Sequence, residues 1–330
     1  MIRICQFGAG RIGKLHALNL SRHPAYDLRY VVDVHEPSAL AVAESVGSEA
    51  TTTERALADP TIDAVLIASS TDTHADLIEA SARAGKAILC EKPIDLARSR
   101  VDACLEVVAE TGVPLMIGFN RRFDANFRTL KRQIDEGRVG RVETVSIVSR
   151  DPAPPGPDYI KVSGGLYRDM MIHDFDIARW LLEEEPAEVL AAGSCLVAPE
   201  IGRLGDIDTG MVVLRTASGR LCQISCSRRA SYGYDQRIEV HGERGMARAE
   251  NVRLSTVEIA DAEGFHAALP PHFFIERYAG AYLAELDHFA QALEGGIAPS
   301  PSGEDGRRAL ALADAANESA ASGRAVRPNL

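Results

Sequence analysis

The chain has 330 residues, more than one hydrophobic core usually serves, so we expect two domains. Hydrophobic residues make up 46% and charged residues 25%, which excludes a disordered or collagen-like chain. The net charge of −11 argues against a nucleic-acid partner. Apolar runs such as residues 64–68 are too short to cross a membrane, and the N-terminus lacks a signal-peptide pattern. We therefore expect a cytoplasmic protein with no membrane partner.

The first 120 residues alternate short apolar segments with helical stretches, which predicts an α/β domain. The predicted strands are 2–7, 28–32, 64–68, 87–90 and 115–118, and the predicted helices are 11–21, 38–46, 73–84 and 97–110. Strands that are apolar on both faces and separated by helices form parallel sheets. We expect a Rossmann domain, with a doubly wound parallel sheet, over residues 1–120.

Residues 121–330 have a different pattern and predict an α+β domain. The predicted elements are helices at 123–136 and 167–182, a strand at 142–149, consecutive strands from 188 to 259, and closing helices at 276–293 and 303–321. Four prolines make residues 151–157 irregular. No long helix interrupts the later strands, so we expect a mainly antiparallel sheet.

A glycine motif follows the first strand and opens the first helix. It spans residues 8–13 with the sequence Gly-Ala-Gly-Arg-Ile-Gly. The glycines permit a tight turn, close approach to a pyrophosphate, and packing of the helix on the strand, while the helix N-terminus attracts the phosphate. The predicted cofactor contacts here are Gly8, Ala9, Gly10, Arg11 and Ile12.

Asp33 adds the acidic residue that, together with the glycine motif, is typical of a dinucleotide site. It stands at the end of the second strand, 20 residues after Gly13, where a carboxylate accepts hydrogen bonds from the adenosine ribose and repels a 2′-phosphate. Val34 and His35 supply no arginine for such a phosphate. This pattern predicts NAD as the cofactor, in preference to NADP. A strand-end turn aspartate is the alternative.

Hydroxyl groups cluster after the third predicted apolar strand, in residues 69–74. Ligands bind outside the carboxyl ends of parallel strands, so Ser69, Thr71 and His74 are predicted cofactor contacts. Alternatively, a residue of 71–73 caps the next helix.

Glu91, Lys92 and Pro93 follow the strand at 87–90, again at a carboxyl end. An ammonium group there can donate to a substrate hydroxyl and stabilise a developing alkoxide. We predict Lys92 as catalytic and Glu91 as a cofactor contact. Without this position in the fold, a lysine would be an ordinary solvated surface charge.

Asp169, His173 and Asp176 share one face of the predicted helix at 167–182. A carboxylate beside an imidazole orients the ring and favours its protonated form, which suits a base that removes a hydroxyl proton. A purely structural Asp–His pair is an alternative. Metal binding ranks lower, because no cysteine or further histidine clusters nearby, so we expect no metal site.

These motifs together resemble the glucose–fructose oxidoreductase, inositol dehydrogenase and rhizopine-catabolism family. The resemblance runs nearly end to end, and residues 118–124 and 163–180 resemble its inositol 2-dehydrogenase branch. It implies that Lys92, Asp169 and His173 form the catalytic set, with His173 as the proton acceptor. It also implies a cis bend at the Glu-Lys-Pro segment. For residues 121–330 it implies a substrate-binding domain whose open-faced sheet builds homodimers or homotetramers.

The resemblance further implies a polyol or sugar substrate. The substrate contacts implied in addition to the catalytic set are Arg121, Asp151, Asp176 and Tyr234, with Tyr232 as the alternative to Tyr234. We expect oxidation of myo-inositol to its 2-keto form, scyllo-inosose. Another polyol or sugar, such as scyllo-inositol, is the alternative. A non-catalytic NAD-binding regulator would have lost Lys92, Asp169 or His173, all of which are present.

Overall fold

The computed structural model describes residues 1–330, which form two compact units. The first unit comprises Met1–Phe123 and Ala281–Leu310, and the second comprises Asp124–Gly280 and Ala311–Leu330. The sequence placed one boundary at residue 120. That single boundary assigns Ala281–Leu310 to the second domain, whereas in the structure these residues belong to the first unit.

The elements are numbered here in chain order. The strands are β1 (Ile2–Phe7), β2 (Tyr26–Val32), β3 (Glu49–Ala50), β4 (Ala64–Ile67), β5 (Ala87–Glu91), β6 (Leu115–Gly118), β7 (Val142–Arg150), β8 (Pro186–Ser194), β9 (Thr209–Thr216), β10 (Leu221–Ser227), β11 (Asp235–Gly242), β12 (Gly245–Ala249), β13 (Glu258–Asp261) and β14 (Gly264–Ala267). The helices are α1 (Arg11–Arg22), α2 (Glu36–Val46), α3 (Thr53–Ala58), α4 (Thr71–Arg83), α5 (Arg98–Thr111), α6 (Ala125–Asp135), α7 (Pro157–Ser163), α8 (Gly165–Asp169), α9 (Ile172–Leu182), α10 (Pro199–Arg203), α11 (Phe274–Arg277), α12 (Ala279–Gly295) and α13 (Gly303–Ser322), with a 3₁₀ helix at Asn120–Phe123. No helix combines the length and the apolar character that a membrane crossing requires.

The first unit contains a six-stranded parallel sheet in the order β3-β2-β1-β4-β5-β6. Every residue of β4 is buried, as expected for a central strand covered on both faces. The strand order reverses between β1 and β4, and ligands of such sheets bind beside that reversal, at the carboxyl ends of the strands. The predicted Rossmann domain is confirmed, although the short elements β3 and α3 were not predicted.

The second unit contains a mixed sheet in the order β12-β11-β7-β10-β9-β8, in which only β7 and β10 run parallel. Helix α9 lies against β7 and β10. Alternate residues of β9 are buried and exposed, so one face is apolar core and the other is open. The predicted mainly antiparallel, open-faced sheet is confirmed, and the separate β13–β14 hairpin is an addition.

The continuous helix predicted at 167–182 is wrong. Helix α8 ends at Asp169 and α9 begins at Ile172. The amides of Met170 and Met171 both donate to the Leu166 carbonyl, at 3.1 and 3.0 Å, which closes the first helix. The Met171 carbonyl then accepts from Asp174 and Phe175 and starts the second. Asp169 and His173 therefore lie on different helices, and helical spacing does not relate them.

Candidate active site

The glycine turn between β1 and α1 has the shape that a dinucleotide requires. Gly8 has φ +102°, and a Cβ there would lie 2.3 Å from the Ala68 carbonyl oxygen. A Cβ at Gly13 would lie 2.2 Å from the Gly8 oxygen, whereas one at Gly10 would meet no atom within 4 Å. Gly8 and Gly13 thus serve chain packing, and the space beside Gly10 is open for a phosphate.

The start of α1 adds the electrostatics of an anion site. Gly10 is the N-cap, no side chain caps the helix, and its first turn holds no acidic residue. The amide groups of this turn and the positive end of the helix dipole favour a pyrophosphate. The residues present therefore fit a bound dinucleotide.

Gln6 of β1 stabilises this turn, a role that was not predicted from the sequence. Its Nε2 donates to the carbonyl oxygens of Gly8 at 2.8 Å and Gly13 at 2.7 Å. Gln6 is fully buried in β1. A buried amide lowers stability unless it is hydrogen-bonded. A glutamine within an apolar strand therefore indicates a structural hydrogen bond, and this signal could have predicted the role of Gln6.

Asp33 follows β2 directly and reaches the glycine turn. Its Oδ2 accepts from the Ala9 amide at 2.7 Å, and its Oδ1 accepts from the His35 amide at 2.8 Å. A carboxylate oxygen has two lone pairs, so each oxygen can still accept from a ribose hydroxyl. The carboxylate is thus fixed beside Ala9. Its bond to the His35 amide is the local bond of a turn aspartate, and its predicted contact with the ribose stays a prediction.

The segment after β4 is built around His74. The His74 ring is buried, with Nδ1 2.7 Å from the Pro93 oxygen and Nε2 3.2 Å from the Ser69 oxygen. Burial lowers the pKa of His74, although both hydrogen bonds oppose that shift. His74 therefore joins the loop after β4 to the turn after β5. Its predicted contact with the cofactor stays a prediction.

The hydroxyls of this segment bond locally. Ser69 Oγ and Thr73 Oγ1 are 2.7 Å apart, and Thr73 Oγ1 donates to the Ser70 oxygen at 2.8 Å. Thr71 is the first residue of α4, and Ser70, its N-cap, makes no side-chain cap. Neither Thr71 nor Thr73 accepts a capping bond here, so the simple capping alternative has no support.

Lys92 lies immediately beyond β5, and its bond to Pro93 is cis, as the resemblance implied. Glu91 Oε1 lies 2.8 Å from Nε2 of His16 on α1. Arg121 is buried within the 3₁₀ helix that follows β6. The first unit therefore places Lys92 and Arg121 after adjacent strands, at the same edge of the sheet as the glycine turn.

In the second unit, Asp169 is held by two side chains that the sequence did not indicate. Its Oδ1 accepts from the Tyr159 hydroxyl at 2.7 Å, and its Oδ2 lies 3.3 Å from both terminal nitrogens of Arg228. Arg228 is 1% exposed, and Asp206 Oδ2 lies 3.7 Å from it. Two carboxylates thus lie beside one buried guanidinium and supply the counter-charge that a buried cation requires.

His173 and Asp176 occupy consecutive turns of α9. His173 is partly exposed, whereas Asp176 is buried, 3.9 Å from Arg179 Nη1. Arg179 also makes a two-pronged pair with Glu185, with both distances 2.7 Å. The predicted substrate contact by Asp176 stays a prediction.

Asp151 and Tyr234 lie in the two segments whose register the sequence left open. Asp151 follows β7, and its amide donates to the Ser227 oxygen at 3.0 Å. Tyr234 is buried, with its ring edge-on to Tyr278 at 5.9 Å. Tyr232 instead bonds to Asp235 and Arg150 at 2.5 and 2.9 Å.

The fold and the glycine turn place the chain in the class of dinucleotide-binding proteins. A family model described as "Oxidoreductase family, NAD-binding Rossmann fold" matches residues 2–119. Another, described as "GFO/IDH/MocA C-terminal domain", matches residues 127–248. The chain belongs to this GFO/IDH/MocA family of oxidoreductases, and its first domain is the NAD-binding domain. The predicted family and the prediction of an NAD-binding domain are confirmed.

Similar proteins extend over essentially the whole chain. Inositol 2-dehydrogenase of Rhizobium meliloti (strain 1021) is 52% identical over 325 residues, which are 98% of each chain. The structure of a myo-inositol dehydrogenase from Corynebacterium glutamicum superposes with a TM-score of 0.96 at 43% identity, covering 100% of this chain and 99% of that one. The structure of scyllo-inositol dehydrogenase from Lactobacillus casei, with bound NAD(H) and scyllo-inositol, gives 0.92 at 28% identity and 99% coverage of both.

Proposed function

We propose that the protein oxidises a secondary alcohol of a cyclic polyol with NAD, and that its substrate is myo-inositol, converted to the 2-keto product scyllo-inosose. The observation that carries the proposal is the 52% identity, over 98% of both chains, to a protein named inositol 2-dehydrogenase. The presence of Lys92, Asp169 and His173 supports it, because a dehydrogenase needs a group that polarises the hydroxyl and one that accepts its proton.

The proposed roles follow from the chemistry of each side chain. Bound NAD supplies the hydride acceptor. Lys92 donates a hydrogen bond to the reacting hydroxyl and stabilises negative charge on that oxygen. His173 takes the hydroxyl proton, and Asp169, itself fixed by Tyr159 and Arg228, favours the protonated imidazole. Arg121, Asp151, Asp176 and Tyr234 are proposed to bind the remaining ring hydroxyls, each of which needs a polar partner.

We also propose that NAD is strongly preferred to NADP. The support is the carboxylate of Asp33, fixed by the amides of Ala9 and His35, together with the absence of arginine at positions 34 and 35. A 2′-phosphate would meet this negative charge with no cation next to it in sequence to offset it.

A panel of substrates tests the proposal. Purified protein is mixed with NAD or NADP and with myo-inositol, scyllo-inositol, chiro-inositols or common aldoses, and the absorbance of the reduced cofactor is followed. We expect the highest kcat/KM for myo-inositol with NAD. A higher value for scyllo-inositol favours the second candidate, which the similarity to the Lactobacillus casei scyllo-inositol dehydrogenase supports. Turnover of aldoses alone would contradict both.

The open sheet face supports a proposed homodimer or homotetramer. Leu190 of β8 and Met211 and Val213 of β9 are large apolar residues that are 44–59% exposed on neighbouring strands. Exposed apolar patches on soluble proteins mark contact surfaces. Light scattering on the purified protein tests this assembly, and a monomer at all concentrations would contradict it.

The proposed use of NAD in a polyol oxidation also suits the predicted cytoplasmic location.

A further inference from the structure

A hydrogen bond joins the helix of the dinucleotide turn to the segment that carries Lys92. His16 lies in the second turn of α1 and is 1% exposed. Its Nε2 is 2.8 Å from Oε1 of Glu91, the last residue of β5. Glu91 precedes Lys92 in the chain, so movement of its carboxylate is transmitted to the lysine through a single peptide unit.

The opposite side of Glu91 is confined by Gly118. The two residues are paired neighbours on β5 and β6. A Cβ at Gly118 would lie 3.1 Å from Glu91 Oε2 and 3.2 Å from Glu91 Cα. The absence of a side chain at Gly118 is therefore what lets the glutamate lie against the neighbouring strand, where His16 meets it.

A second buried acid completes the cluster. Glu285 of α12 is 0% exposed, and neither of its carboxyl oxygens has a hydrogen-bond partner in the chain. Burial, and then the negative charge of Glu91, raise the pKa of Glu285 well above its usual value. Tyr282, one turn earlier on α12, packs edge-on against the His16 ring at 5.4 Å and 89°. Burial and then the charge of Asp287 raise the pKa of Tyr26 on β2, and the charge of Glu285 adds to that effect. The ionisable groups around Glu285 thus include Glu91 from β5 and Tyr26 from β2.

We propose that His16 and Glu91 are positioning residues that hold the Lys92 turn at a fixed place relative to the dinucleotide turn. They act through Lys92 and α1, and neither is assigned a part in the chemistry. The inference rests on the proposed function, in which Lys92 contacts the reacting hydroxyl. A misplacement of about 1 Å at such a group costs on the order of 100-fold in rate.

Two substitutions at position 16 separate the hydrogen bond from the packing. In His16→Gln, the side-chain amide presents an N–H near the position of Nε2, and His16→Met fills similar space without a donor. We expect His16→Met to lower kcat on the order of 10- to 100-fold. We expect His16→Gln to retain kcat within roughly threefold, because one hydrogen bond of the same kind is kept. The calorimetric Kd for NAD should change little in both, since neither substitution touches the glycine turn.

Amide hydrogen exchange supplies a readout that does not depend on turnover. In His16→Met, the amides of residues 90–92 and 94 should exchange faster than in wild type, and in His16→Gln they should not. His23→Met is the matched control, because His23 Nε2 also joins the end of α1 to a carboxylate of α12, Asp287, at 3.0 Å. This control should leave kcat and exchange at residues 90–92 and 94 unchanged.

The outcomes distinguish this inference from the proposed function. If Lys92→Ala is impaired while His16→Met keeps wild-type kcat and exchange, the positioning network is wrong. Equal losses in His16→Met and His16→Gln would also overturn it, because the hydrogen bond would then be irrelevant. Full turnover in Lys92→Ala would overturn the proposed function instead. If His16→Met does not fold, Glu91→Met replaces it, because methionine removes the acceptor of the hydrogen bond, with the same expected loss of kcat and the same faster exchange.

Discussion

The guanidinium of Arg228 lies 3.3 Å from Asp169 Oδ2 and is almost completely buried. It therefore fixes a predicted catalytic carboxylate from a strand end far away in sequence. Asp206, which also faces Arg228, accepts from the Leu166 amide at 3.0 Å at the start of α8. The helix that ends at Asp169 is thus attached to the same cation at both ends.

Replacing Arg228 with Met should destabilise the protein and impair turnover. Asp169 and Asp206 would be left facing each other without a cation, and breaking a buried ion pair costs about 3–5 kcal/mol. Urea denaturation measures the stability, and kcat/KM for the best substrate measures the activity. Arg229→Met is the matched control, because Arg229 is the exposed neighbour in the chain. Equal stability of the two variants would show that the Arg228 pair contributes nothing.

Removing the predicted acid–base groups should affect chemistry and spare the fold. His173→Ala or Lys92→Ala should lower kcat by a factor on the order of 10²–10⁴, the usual contribution of a general acid or base. NAD affinity should stay near wild type, since neither residue belongs to the glycine turn. Unimpaired turnover in either variant, with NAD affinity and melting temperature unchanged, would remove that residue from the catalytic set.

Asp33→Ser should reduce the preference for NAD. The serine removes the charge that repels a 2′-phosphate and also the carboxylate that binds the Ala9 and His35 amides. Loss of hydrogen bonds to a charged group predicts a drop in kcat/KM for NAD of about 10- to 100-fold. Adding Val34→Arg should raise kcat/KM for NADP above that of Asp33→Ser alone. A wild-type protein that already uses both cofactors equally would contradict the role of Asp33.

The sequence was sufficient for the parallel sheet and the glycine turn because their determinants are local. Apolar strands, glycines and Asp33 all lie within the first part of the chain, in a fixed order. The contacts of Asp169 with Tyr159 and Arg228 were not predictable, because they depend on which segments of the second unit meet. The break at Met170 and Met171 was also hidden, because neither residue is a helix breaker and the i+4 spacing suggested continuity.

The pairing of Asp169 with His173 stays a prediction, and the pH profile tests it. His173 must be neutral to accept a proton, so polyol oxidation should slow on the acid side as one group becomes protonated. A nearby carboxylate favours the charged imidazole and moves that acid limb to higher pH. Asp169→Asn should therefore move the limb of kcat/KM to lower pH, measured with NAD saturating. A limb that stays in place would show that Asp169 does not tune the base.

The Glu285 carboxyl should make stability depend on pH in a direction opposite to that of an ordinary ion-paired acid. Because burial raises its pKa in the folded state, the native protein keeps a proton that the unfolded chain releases above about pH 4.3. Its stabilising contribution is complete below that pH and is lost as pH rises toward the folded-state pKa. The loss approaches about 1.4 kcal/mol per pH unit in the free energy of unfolding.

Glu285→Gln isolates this contribution, because glutamine has nearly the same shape and no charge at any pH. Urea denaturation across pH 5 to 9, a range of about four units chosen to lie above the unfolded-state pKa, gives the free energy of unfolding for both proteins. The free energy of unfolding of wild type minus that of Glu285→Gln should fall as pH rises. Glu294→Gln is the matched control, because Glu294 is exposed on the same helix, and this variant should keep the wild-type slope. Parallel curves for wild type and Glu285→Gln would show that Glu285 is ionised in the folded protein.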